Sequence, residues 1–223
     1  MHDYTPPAYY HQYIAKEKSF ELQRRIKQSA IHSMHQLDGW CSDFKASTLM
    51  DLVFFLHPRT IVEIGVFGGK SLVPMAFAMK AINEGGMVYG IDPWSCAASA
   101  EGQIGVDKDY WGSLDHDAIL ARLQSKITDF QLHNHITLVR ATSEEAAPIP
   151  NIDILHIDGN HSDDASYFDT IKWVSLVRTG GMIVFDDITW STIDRATKWL
   201  NENCIQLVTI QDEANSWGVW IKP

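Results

Sequence analysis

An α/β fold is what the sequence predicts: one domain on a mostly parallel sheet, with a C-terminal antiparallel hairpin and an N-terminal helical cap. Three observations predict it. Short β-branched runs alternate with helix-spaced apolar stripes along most of the chain. A strand, a glycine turn and a helix follow one another between Thr60 and Ile82 and lead into a second strand, a βαβ unit whose crossover is right-handed. The tail holds two strand-like runs with no helix-length segment between them, which favours antiparallel pairing.

The elements follow in order. Phe20, Ile26, Ala30 and Met34 recur at loose helical intervals among charged residues, giving a helix over about 16–36. Residues 1–44 form the cap, with an aromatic start at Tyr4, Tyr9, Tyr10 and Tyr13, and residues 45–223 form the main domain. Ser47 reads as the N-cap of a buried helix that His57-Pro58 ends. Thr60 to Ile64 reads as a buried parallel strand, Leu72 to Ile82 as a helix lying on the sheet, and Met87 to Ile91 as a second strand ending at Asp92. Further strands are expected at 136–139, 152–157 and 182–185, the last introduced by Gly180-Gly181, with a helix stripe through Tyr167, Phe168, Ile171 and Val174. Cys204 to Ile210 and Trp217 to Ile221 make the hairpin. Between Trp94 and Asp115 the periodicity lapses, and a loop of that length in a compact domain is typical of a lid or binding loop.

Composition narrows the function. With 223 residues and 45% hydrophobic content the chain can bury a core without disulfides or a structural metal. A formal charge of −10 leaves no cationic face for nucleic acid or an anionic membrane. No apolar run approaches a membrane span or a signal peptide, so a soluble, cytoplasmic protein is expected. Cys41, Cys96 and Cys204 lack metal-ligand spacing and read as structural thiols.

The turn Glu63-Ile64-Gly65-Val66-Phe67-Gly68-Gly69-Lys70-Ser71 ends a strand and opens a helix, where free amides can receive an anionic group. It lacks the Gly-x-Gly-x-x-Gly pattern of dinucleotide folds, and Glu63 would disfavour a pyrophosphate while suiting an ammonium or sulfonium. Asp92 stands where a carboxylate can accept from both ribose hydroxyls. In these residues the chain resembles the class I S-adenosylmethionine-dependent methyltransferases, with a Rossmann-like domain. Its Glu63-x-Gly65-x-x-x-Gly69-x-Ser71 form is most similar to the catechol-type and macrolide-sugar O-methyltransferases, over about residues 45–222. The resemblance implies that Glu63 and Gly65 line the methionine, Ser71 binds its carboxylate and Asp92 holds the ribose. It further implies that Ser143 and Glu144 flank the adenine, with Phe67, Gly68, Trp94 and Asp158 completing the cofactor set.

Two later strands deliver Asp158-Gly159-Asn160-His161 and Asp186-Asp187 at their carboxyl ends, beside the glycine turn. Carboxylates converging in a crevice repel one another, and a divalent cation is the natural compensation; all-oxygen ligation points to Mg²⁺. The metal-dependent O-methyltransferases resemble this arrangement, which implies Asp158, Asp186 and Asp187 as ligands and His161, three residues past the first ligand, as base. Beside a cation that imidazole is expected to stay unprotonated. His156 reads as a core histidine, Asp163 and Asp164 as a favourable helix start, and Trp190 as either acceptor-pocket wall or plain packing.

The function expected is Mg²⁺-dependent transfer of a methyl group from S-adenosylmethionine to a sugar, polyol or phenol hydroxyl. The partners are a small hydroxylated acceptor and a second copy in a homodimer, with neither nucleic acid nor membrane involved. Two alternatives are a non-catalytic nucleoside-binding scaffold and an oxidoreductase similar to cephalosporin-hydroxylase-like proteins, for which the chain offers no redox-centre motif.

Overall fold

The computed structural model describes residues 8–82, 84–212 and 216–223; Tyr4 and the side chains of Tyr9, Tyr10 and Tyr13 lie outside what it describes. Seven strands form one sheet: β1 (Thr60–Ile64), β2 (Met87–Asp92), β3 (Ile136–Arg140), β4 (Ile152–Ile157), β5 (Val177–Asp186), β6 (Ile205–Gln211) and β7 (Ser216–Ile221). Their order is β3-β2-β1-β4-β5-β7-β6. The chain starts in the middle and winds outward both ways, so β1 and β4 are neighbours and the ends of β1, β2, β4 and β5 share one edge. β7 enters between β5 and β6 and runs antiparallel to both.

Successive β1 residues face opposite layers. Ile61 packs with Val88, Ile154 and Val184 beneath the helices α1 (Ala8–Met34), α2 (Asp43–Leu56), α3 (Leu72–Ile82) and α6 (His116–Asp129). Val62 and Ile64 pack with Leu155, Ile183 and Phe185 beneath α7 (Asp163–Leu176) and α8 (Asp194–Asn203). Both faces being covered, the central strands read as continuous apolar runs. Among the described residues no helix is long and apolar enough to cross a membrane.

Four expectations about boundaries change. α1 begins at Ala8, eight residues before the expected start at about 16. α2 starts at Asp43 with Ser42 as N-cap, its hydroxyl accepting from Lys45 N–H at 3.0 Å; Ser47 lies inside the helix. β5 begins at Val177, so Gly180-Gly181 sits within the strand beside a register shift opposite Ile152 and Ile154. The 94–115 stretch holds two short helices, α4 (Cys96–Ser99) and α5 (Gly105–Ser113).

The far edge of the sheet is pinned by Asp153. One carboxylate oxygen accepts from the Arg59 and Thr60 backbone N–H at 2.8 and 2.9 Å, and the other meets Arg178 at 2.5 Å. Burial would raise its pKa, but the Arg178 hydrogen bond and the two amides outweigh it and hold the carboxyl below its usual range. Asp153→Ala is expected to cost about 2 kcal/mol in urea unfolding near neutral pH, since two amides lose their acceptor. The Asp153 contribution is complete above the unfolded carboxylate pKa of about 3.9 and disappears as pH falls through the lower folded value, so wild type and variant should converge in acid.

Candidate active site

The edge formed by the ends of β1, β4 and β5 gathers six ionisable side chains. Glu63 on β1 is fully buried, receives the Ser71 hydroxyl at 2.8 Å and lies 3.3 Å from His156 Nδ1. His156 on β4 is also fully buried, as a core histidine, with Nε2 3.6 Å from Asp186 Oδ2. These are ion-pair rather than hydrogen-bond distances, and both ring nitrogens lack a hydrogen-bond partner. Burial and the Lys45 charge both disfavour the imidazolium, but Asp186 and Glu63 outweigh them and carry the His156 pKa up to about 9.

Lys45, which no sequence expectation included, reaches into this cluster from the first turn of α2 and is 1% exposed. Its Nζ donates to Asp186 Oδ2 and stands 3.5 Å from Asp158 Oδ2. Burial alone would depress an ammonium, yet Asp186 and Asp158 together raise its pKa, so it is charged. Burial raises the Asp186 carboxyl less than Lys45 and His156 lower it, and it stays ionised; Asp158 moves the other way, pushed up by burial and by Asp186. Of the three expected ligands, Asp158 and Asp186 therefore meet around Lys45. Asp187 turns outward, backbone φ 53°, to place Oδ2 3.0 Å from His161 Nε2.

His161 also lies 3.7 Å from Asp158 Oδ1 and makes an edge-on contact with Trp190, ring centroids 5.3 Å apart. Trp190 is 45% exposed, so it walls open space and is not core. Burial would lower the His161 pKa, but the Asp187 hydrogen bond and the charges of Asp158, Asp187 and Asp186 raise it on balance. The carboxylates around His161 favour its imidazolium form, whereas the expected cation would oppose it.

The glycine turn is built against the chain itself. A Cβ on Gly65, φ 82°, would collide with the Asp158 carbonyl and come within 2.6 Å of Gly159 Cα. Gly65 is required where β1 and β4 deliver their ends together. A Cβ on Gly68 would meet the Asp38 carbonyl. Asp92 accepts from the Val66 and Phe67 amides at 2.9 Å and, through its other oxygen, from the Trp94 amide at 2.6 Å. Trp94 is buried, with its indole N–H on Phe67 O at 2.8 Å. A cleft of about 310 Å³ opens between the ends of β2 and β3, lined by Trp94, Ser95, Leu114, His116, Asp117 and Arg140.

Phe67 stacks on Trp40, centroids 5.4 Å apart, and Trp111 meets both rings edge-on. Ser143 and Glu144 are held through their carbonyls by Lys172 Nζ at 2.6 and 2.8 Å. Asp169, a second residue missed by the sequence reading, is buried beneath Gly159 and faces the Ser143 hydroxyl; burial raises it to about 6 against the lowering effect of Ser143 and Lys172. Asn160 ties the 94–115 segment down, donating to the Glu101 carbonyl at 2.7 Å and the Ala98 carbonyl at 3.3 Å. Asp163 and Asp164 start α7 and pair with Arg195.

A family model described as a methyltransferase domain matches residues 62–188, more than half of the chain. An uncharacterized protein of Acanthamoeba polyphaga mimivirus is 26% identical over 183 residues, 78% of this chain and 67% of that protein. The fold is similar to the O-methyltransferase of Bacillus cereus in complex with SAH, at TM-score 0.59 and 16% identity, covering 91% of each chain. It is also similar to the SAH-bound methyltransferase PaMTH1 of Podospora anserina, at TM-score 0.61 and 12% identity over 100% of each chain.

Gly65→Ala tests the crossing of strand ends. The variant is expected to lose about 3 kcal/mol or more of stability in chemical denaturation, because the Asp158 carbonyl must move and a positive φ is imposed on alanine. An effect near zero would contradict the contact.

Proposed function

Because the chain belongs to the family of methyltransferase domains, we propose that it transfers the methyl group of S-adenosylmethionine to a hydroxyl oxygen of a small molecule, with His161 as general base. The observation that carries this reading is the His161–Asp187 pair, 3.0 Å long, beside Asp158 and open to the space walled by Trp190.

In the proposed complex the methionine lies along Glu63 and Ser71, the ribose over Asp92, and the adenine toward Ser143, Glu144 and the β2–β3 cleft. The Glu63–Ser71 pair and Asp92 are already fixed by bonds within the chain, and the Asp92 carboxylate keeps further lone pairs to accept from the ribose. Asp187 holds the Nε2–H of neutral His161, which leaves Nδ1 to take the acceptor's proton. The freed oxygen lone pair attacks the methyl carbon in line with the carbon–sulfur bond; that bond breaks and S-adenosylhomocysteine leaves. The acceptor enters past Trp190.

Mg²⁺, expected on Asp158, Asp186 and Asp187, is not part of this proposal, because the residues do not fit it. A ring nitrogen of His156 and one carboxylate oxygen each of Asp158 and Asp186 lie close enough to share an ion, but Lys45 already stands against both carboxylates. An ammonium at that distance repels a dication strongly. Asp187, the third expected ligand, is engaged by His161.

His161→Ala is expected to lower kcat by about 10²- to 10⁴-fold while leaving S-adenosylmethionine affinity unchanged in calorimetry. Full turnover would remove the histidine from the mechanism. The acting form is neutral imidazole and its pKa is raised, so the rate should climb with pH through a value above the ordinary imidazole figure of about 6.5. Asp187→Asn should move that limb to lower pH. Deuterated-methyl S-adenosylmethionine incubated with phenols and polyols, followed by mass spectrometry, tests the transfer itself; binding of the cofactor without label transfer to any acceptor would favour a nucleoside-binding scaffold.

A further inference from the structure

Among the described residues Lys45 is the only buried lysine or arginine, and the reaction outlined above gives it no step. Its Nζ lies beside Asp186 Oδ2 and 3.5 Å from Asp158 Oδ2, so it bridges the ends of two neighbouring strands. His156 Nε2 closes the other side, 3.6 Å from the same Asp186 oxygen. His156, Asp158 and Asp186 are also the trio whose atoms approach within 4.8 Å, close enough to share a metal ion. The ammonium therefore stands where a bridging cation would.

Stability does not account for this placement. A buried ion pair is seldom worth more than apolar residues of the same volume, and this one leaves Asp186 Oδ1 buried without a hydrogen-bond partner. The outward halves of the cluster are open: Asp158 and Asp187 side chains are 30% and 28% exposed and face His161. The lysine is thus the inner wall of the site, and its charge offsets carboxylates that would otherwise repel or take up protons.

We propose that Lys45 is a positioning residue acting as the site's permanent cation: it holds Asp158 and Asp186 where a divalent ion would otherwise draw them, so that methyl transfer runs without a metal. The claim about rate rests on the methyl-transfer reading; the claim about the cation does not. An ammonium donates hydrogen bonds but has no vacant coordination position, so the acceptor oxygen is not chelated. One hydroxyl suffices, and an adjacent pair confers no advantage.

Mn²⁺ binding followed by electron paramagnetic resonance reads the site whatever the acceptor is. Wild-type protein stripped by chelator is expected to leave Mn²⁺ free, and to keep its transfer rate in excess EDTA. Lys45→Met retains the aliphatic stem without the charge, and its Mn²⁺ affinity should rise by about a hundredfold or more, with a melting temperature that becomes Mn²⁺-dependent. Lys45→Gln supplies the same comparison where the Met variant does not fold, and the wild-type titration decides alone if neither folds. Stoichiometric Mn²⁺ on wild type, displaced by Mg²⁺, overturns the proposal; so does a folded variant that binds no more Mn²⁺ than wild type, or a wild-type rate abolished by EDTA and restored by Mg²⁺. Wild type that binds no Mn²⁺ and methylates nothing supports the cation assignment while failing the methyl-transfer reading.

Discussion

Lys45 projects from the first turn of α2 into the ends of β4 and β5, and the layout of the whole edge follows from having a positive charge there. Glu63, Asp158, Asp186 and Asp187 crowd into one crevice, with His156 and His161 between them. Two unit charges about 4 Å apart interact by roughly 4 kcal/mol at an effective dielectric constant near 20, so four carboxylates without a counter-charge could not all stay ionised. With the ammonium on its inner side, Asp186 remains anionic, and Asp158 and Asp187 are free to face His161. Removing one partner from such a buried pair costs about 3–5 kcal/mol, which ties the packing of α2 to the chemistry of the edge.

The topology makes this convergence possible. β1 and β4 are adjacent and parallel, so the turn after one and the Asp158 segment after the other leave the sheet together. They cross so closely that only glycine fits at position 65. Asp92 pins the far side of the same turn through the Val66 and Phe67 amides, and Asn160 anchors α4 and the Glu101 that follows it across the end of β4. The edge is therefore preformed, and a ligand entering it meets oriented groups rather than a loop that must fold around it.

Much of this was legible in the sequence. The βαβ unit, the alternation that follows it and the closing antiparallel strands all appear as runs whose period changes where the elements change. The acids at the strand ends were legible too, because a carboxylate directly after an apolar strand has few structural reasons to be there. Lys45 was not. Placing the helix start at Ser47 left it outside the helix, whereas with Ser42 as N-cap it falls on the buried stripe with Leu49 and Val53, at i, i+4 and i+8. A lysine on that stripe is the signal that would have found it. The purpose of Gly65 was hidden for a different reason: the atom it avoids, the Asp158 carbonyl, lies 93 positions away and becomes its neighbour only through strand pairing.

A charge-balanced edge of this kind separates two tasks that a metal would combine. In the proposed reaction Lys45 neutralises and holds the inner carboxylates, while His161, paired with Asp187, takes the proton. A crystal structure of the protein with S-adenosylhomocysteine, grown in millimolar Mg²⁺, tests this division most directly. The account predicts the Lys45 ammonium between Asp158 and Asp186, the ligand's sulfur directed at the space in front of His161, and no octahedral ion. An ion coordinated by Asp158, Asp186 and Asp187, with Lys45 turned away, would contradict it.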